Sequence, residues 1–176
     1  MNFSNNFAFF GFNDMKPDIY LACFSTRLFE FAHQNIADHR GTAYGKDYSS
    51  FCQIVEGEVS FEMQDGSILT GKAGDMFYMP EGSRYLSTWR GNPHIVFIGT
   101  YFRFLATNDL DILISRKKYI IPFDRRFAFQ KVECLSNFRA LEEMQAILHE
   151  YHAGKHEQLM AFSRIYRLIA IAYPHL

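Results

Sequence analysis

The stretch Gly57 to Gly82, GEVSFEMQDGSILTGKAGDMFYMPEG, holds the order that decides the fold. It opens at a hairpin glycine, crosses a β-rich segment to the turn Asp65-Gly66-Ser67 and enters a second such segment. It then reaches Gly74-Asp75, the apolar run Met76-Phe77-Tyr78-Met79, and Pro80-Glu81-Gly82. Glycine beside aspartate turns a chain into a buried strand, and proline followed by glycine turns it out again. The same texture continues on both sides. From Ile19 to about Gln130 the sequence predicts strands at Ile19–Phe24, Phe51–Val55, Val59–Met63, Asp75–Met79, Tyr85–Trp89 and His94–Phe104. Turns fall at Glu56-Gly57-Glu58, Asp65-Gly66-Ser67, Gly71 to Gly74 and Gly91-Asn92-Pro93. Many short strands at this spacing make an all-β sandwich or barrel.

Beyond Ser136 the period changes. Phe138, Leu141, Met144, Ile147, Leu148 and Tyr151 recur three or four apart, which predicts an amphipathic helix closing at Ala153-Gly154, with glycine in the left-handed conformation. A second helix is predicted from about His156 to Tyr173, ended by Pro174. Its apolar residues cover more circumference than one contact face needs, so two surfaces are expected to claim it. The reading thus divides the chain into an N-terminal arm (1–18), a β-barrel (19–130) and a helical hairpin (131–176).

Composition narrows the function classes. With 48% hydrophobic residues, 19 Phe and 10 Tyr, the 176-residue chain is a folded globular protein with one sizeable core. A formal charge of −1, from 18 Lys+Arg against 19 Asp+Glu, provides no basic field for a phosphate backbone. Cys23, Cys52 and Cys134 lie far apart and fit neither a disulfide framework nor a zinc spacing. Residues 1–15 lack the basic start of a signal peptide, and no uncharged stretch reaches the roughly 20 residues of a membrane span. A cytoplasmic protein without membrane contact is expected.

Gly74, Pro80 and Gly82 are spaced as in the second motif of the cupin superfamily, with Tyr85 standing where that motif has histidine. The chain therefore resembles a cupin, a jelly-roll β-barrel. In metal-binding cupins the other ligands come from a His-x-His…Glu segment, which the resemblance sets at Tyr44, Lys46 and Ser50. None of these, nor Tyr85, is a usual metal ligand, so neither a metal nor another cofactor is expected.

Within the superfamily the stretch from Asn92-Pro93 to Tyr101-Phe102-Arg103 and the two helices are similar to the sensor domains of bacterial AraC-type regulators. That resemblance implies an effector, a sugar or related metabolite, inside the barrel, an arm closing over it, and a homodimer through the C-terminal helices. It also implies DNA contact only through a helix-turn-helix domain absent from this chain. The apolar Tyr173-Pro174-His175-Leu176 reads as a cut end and not a natural terminus. By position, the resemblance sets the effector against Glu56, Tyr85, Ser87, Phe97 and Gly99. Strand alternation adds Trp89 to the face of Tyr85 and Ser87, and Gly99 leaves room for a ligand.

No catalytic residue emerges: Ser49, Ser50 and Ser163 lack a nucleophile elbow, and Cys52 has no evident His partner. His149, His152 and His156 fall three and four apart, but Gly154 interrupts their face. A non-enzymatic sensor is the expectation. A stand-alone cupin enzyme of isomerase or dioxygenase type and a structural cupin with a filled interior are the alternatives.

Overall fold

The computed structural model describes residues 18–31, 35–40, 48–91, 94–107, 128–133, 139–172 and 175–176. Apart from Asp18, the expected arm lies outside these residues, as do Tyr44, Lys46, Asn92, Pro93, Cys134 and Pro174. The described strands are β1 (Asp18–Phe31), β2 (Asn35–Arg40), β3 (Ser49–Glu56), β4 (Glu58–Met63), β5 (Ile68–Lys72), β6 (Met76–Met79), β7 (Tyr85–Arg90), β8 (Ile95–Thr107) and β9 (Gln130–Val132). Two helices follow, α1 (Ala140–Ala153) and α2 (Lys155–Ala172).

The strands form two antiparallel sheets, one in the order β1-β8-β3-β6-β9 and the other β2-β7-β4-β5. Most consecutive strands change sheet: β3 to β4 at Gly57, β5 to β6 at Gly74, β6 to β7 at Pro80-Glu81-Gly82 and β7 to β8 near Gly91. This interleaving is that of a jelly roll, and the architecture is the cupin fold with two C-terminal helices.

The two turns of the opening motif are built as the sequence implies. Gly74 and Gly82 have φ of 95° and 84°, a conformation that an L side chain rarely adopts. The Asp75 carboxylate accepts from the Lys72 amide at 2.9 Å and pairs with Lys131 Nζ at 2.7 Å, fixing the entry to β6. The Ser83 amide donates to the Pro80 carbonyl at 3.1 Å, closing the exit.

Burial explains why the strands read differently. β4 and β7 alternate, with Val59, Phe61, Tyr85, Ser87 and Trp89 buried and their neighbours turned outward. β3 from Ser49 to Ile54 and all of β6 are buried on both faces. One face meets the other sheet, while the opposite face lies under the helices. There Phe51, Met76, Ile98 and Phe102 form one core with Met144, Ile147, Ile165 and Leu168. Arg164 ties the hairpin together, donating to Glu150 at 2.7 Å and to Glu143 at 3.3 Å.

Several expectations change. β1 is longer than Ile19–Phe24, and β2, β5 and β9 complete the sheets. Gly71, expected in a turn, is the partner of Val59 in the β4–β5 ladder, and a Cβ there would collide with the Phe77 ring. The line drawn at residue 131 falls inside β9. Gly154 does end α1, but with φ 163° it is extended, not left-handed. Its carbonyl accepts from the Gln158 amide in the first turn of α2, so the chain passes straight from one helix into the next. No described helix is long and apolar enough to cross a membrane.

Candidate functional site

Between the sheets aromatic side chains mix with aliphatic ones such as Ile54, Val59 and Ile95. Phe61 of β4 sits among Phe77 and Phe129, with ring centroids 5.0 Å away in each case, Tyr85 at 5.3 Å and Trp89 at 6.0 Å. Beside this cluster Phe97 is stacked between Trp89, at 4.3 Å, and Phe29 of the edge strand β1, at 4.6 Å. Offset and edge-to-face contacts of this kind each add modestly to the area they bury. Polar atoms on the same face are partnered locally. The Trp89 indole donates to Ser87 Oγ at 3.1 Å, and the Tyr85 hydroxyl to Met79 Sδ at 3.6 Å.

The structure thus brings together Tyr85, Ser87, Trp89, Phe97 and Gly99, five of the residues expected from the sequence, and separates Glu56 from them. Val55 packs toward the helix core, on the side of Phe51 and Gln53 where period-two alternation sets it. A register irregularity between Ile54 and Glu56 leaves Glu56 exposed where alternation would have put it on the face of Ile54. Glu56 lines an open cleft of about 480 Å³ with Lys72, Arg90 and His94. Gly99 also departs from expectation, because a Cβ there would strike the Tyr101 phenol. The room left by the glycine is filled by the chain's own tyrosine.

That tyrosine leads to a polar island the sequence reading missed. In the sheet Ser50 lies between Met79 and Tyr101, and Cys52 between Phe77 and Gly99. Tyr48 meets the Tyr101 ring edge-on at 5.2 Å. Ser50 is 1% exposed, and its Oγ has no hydrogen-bond partner among the described residues. Burial, reinforced by the neighbouring Cys52 thiol, pushes the Tyr85 and Tyr101 phenols above the usual tyrosine range. Both remain neutral donors wherever the protein is folded near neutrality. Period-two alternation along β3 was the available signal, since it puts Ser50 and Cys52 on the face of Ile54. The unbroken burial of the strand hid it.

Of the positions that the cupin resemblance assigns to metal ligands, Ser50 and Tyr85 lie within the described residues. They supply neutral hydroxyls, which do not fit a resident divalent metal. Among the described residues no three His, Cys, Asp or Glu side chains converge on a common point.

A second cleft, of about 580 Å³, lies on the outward face of the smaller sheet. There Glu58 stands between its cross-strand neighbours Arg90 and Lys72, and Ser60 between Thr88 and Thr70. This face is polar and open.

Residues 41–96 match the model of the EutQ-like cupin domain, in keeping with the fold described above. The sequence matches no protein among the curated ones. Among solved structures it is similar to ToxT of Vibrio cholerae with an unsaturated fatty acid bound. The identity is 10%, with a TM-score of 0.50 over 86% of this chain and 55% of that one. It therefore spans about half the length of ToxT. Protein NMB1881 of Neisseria meningitidis aligns at 17% identity and TM-score 0.34, over 49% of this chain and 82% of that one. The EutQ protein of Clostridium difficile aligns at 11% identity and TM-score 0.32, over 48% and 67%.

Proposed function

We propose that this chain is the effector-sensing and dimerisation half of an AraC-type transcription regulator, acting in the cytoplasm without catalysis. The observation that carries this reading is the joint arrangement of a cupin sandwich and a helical hairpin sharing one sheet. An effector between the sheets and a partner on the helices would then act on opposite faces of the same strands. Likeness to a fatty-acid-bound ToxT supports a small molecule as the kind of ligand this fold accepts. In the proposed reading the effector is a small metabolite, a sugar or a compound with more apolar surface. The aromatic lining around Phe97 and Trp89 supplies its contact area, and the few hydroxyls set its orientation.

The dimer uses α2. Leu159, Met160 and Tyr166 are 66%, 50% and 41% exposed on a helix that buries Ala161, Ile165, Leu168, Ile169 and Ala172 on its other face. A self-complementary contact along that stripe gives a two-fold dimer. In this reading DNA contact is the work of a helix-turn-helix domain. Effector binding shifts the regulator only through different affinities in its two states.

Sedimentation equilibrium, together with thermal unfolding of metal-stripped protein against sugars, sugar acids and other metabolites, tests the reading. The expected results are a dimer that Leu159→Glu/Tyr166→Glu converts to monomer, and a selective rise in midpoint with one ligand class. A monomeric wild type, or a midpoint raised by divalent metals alone, would overturn it. The metal result would favour a cupin enzyme.

A further inference from the structure

The interior offers a ligand two different surroundings, an aromatic stack and a set of buried neutral hydrogen-bonding groups. Ser50 Oγ is the group without a function in the fold. Gln53, on the opposite face of β3, also leaves an oxygen unpartnered, but its amide nitrogen is anchored to the Ile54 and Asp75 carbonyls at 3.3 and 3.2 Å. Ser50 has no such anchor. A hydroxyl held at 1% exposure with neither donor nor acceptor used is destabilising, and it is the polar atom a ligand would satisfy.

The neighbouring side chain indicates what would satisfy it. Tyr101, paired with Ser50 across β3 and β8, lays its phenol over Gly99 in space that a side chain at residue 99 would otherwise occupy. A flat ring bearing a neutral oxygen is therefore what this volume accommodates. Among the described residues, the polar groups gathered with Ser50 on this face are the Cys52 thiol and the Tyr85 and Tyr101 phenols, all uncharged. Arg27, the cross-strand partner of Gly99, shares this face but is exposed on the edge strand β1, two strands from Ser50. Arg103, two residues beyond Tyr101, is held by Glu81 at 3.7 Å. A carboxylate pushed in beside Ser50 would lose its hydration without gaining an opposite charge, whereas a carbonyl or hydroxyl would gain a hydrogen bond.

We infer that Ser50, with Cys52 and Tyr85 beside it, forms the head-group site for an uncharged aromatic effector. Its carbonyl or hydroxyl meets Ser50 Oγ, and its ring takes the space over Gly99 as Tyr101 turns aside. This rests on the sensor reading above and names the ligand class for it.

The test uses matched pairs, acetophenone with benzoate and 2-acetylnaphthalene with 2-naphthoate, measured by calorimetry and thermal unfolding on the full chain. The ketone of each pair is expected to bind and raise the midpoint, and the carboxylate to do neither. Ser50→Ala should leave the unliganded midpoint unchanged or higher while weakening the ketone about tenfold. Tyr101→Ala, which vacates the space over Gly99, should tighten it. Tighter binding of the carboxylate, or an undiminished ketone affinity in Ser50→Ala, would overturn this inference and leave the sensor reading standing. So would ketones without effect on a protein that responds to sugars or sugar acids. A protein that responds to no compound in either set would remove both.

Discussion

The two faces of the five-stranded sheet are built for different ends. On the helix side, strand residues such as Phe51 and Ile98 meet Met144, Ile147, Ile165 and Leu168, and the buried hydroxyls are used. Thr26 and Thr100 share a hydrogen bond at 3.1 Å, and Thr100 donates to Met144 Sδ at 3.4 Å. On the inner side, rings from both sheets crowd together and Ser50 goes unsatisfied. The same strands supply both faces, so one face can be optimised for stability while the other retains groups that stability does not require.

That contrast is open to mutation. Leu168→Ala, at a fully buried helix position, is expected to have the largest effect, a loss of about 2–5 kcal/mol in urea unfolding, because the helices cannot collapse onto the gap. Gly99→Ala on the inner face should cost about 1–3 kcal/mol through collision with the Tyr101 phenol. Adding Tyr101→Ala should recover much of that loss. If the two losses instead add, Tyr101 does not occupy that space.

The buried phenols make the inner face sensitive to alkali. Their folded pKa values lie above the ordinary 10, so as pH passes 10 the unfolded chain gives up protons that the folded chain keeps. Stability is therefore full below pH 10 and falls above it. Tyr85→Phe and Tyr101→Phe should each flatten that fall in denaturant titrations between pH 9 and 11. The smallest effect is expected from Glu56→Gln, within about 0.5 kcal/mol and without change in any ligand-induced shift, since this carboxylate is exposed and outside the interior.

Much of this architecture was legible in the sequence because local chemistry dictates it. The glycines and proline from Gly57 to Gly82 fix turns that few other residues could make, and the three-to-four spacing after Ser136 has one structural meaning. That Tyr85, Ser87 and Trp89 share one buried face was legible from alternation, since β7 has one wet face. The inward face of Ser50 and Cys52 was not, because β3 is dry on both faces and its letters do not say which side is which. Glu56 was misplaced by an irregularity in pairing that exists only once β8 lies beside β3. Gly99 was read as room for a ligand, whereas the chain two residues later supplies the ring that fills it.

The central claim, that a small molecule enters between the sheets, can be tested with the emission of Trp89. It is the single tryptophan of the chain, 7% exposed and stacked on Phe97 inside the sandwich. Metal-stripped protein should show a selective, saturable change in that emission with the same compound that raises the unfolding midpoint, and the compound should be recovered unaltered. A midpoint shift that leaves Trp89 unperturbed, or a response confined to divalent metals, would contradict the account.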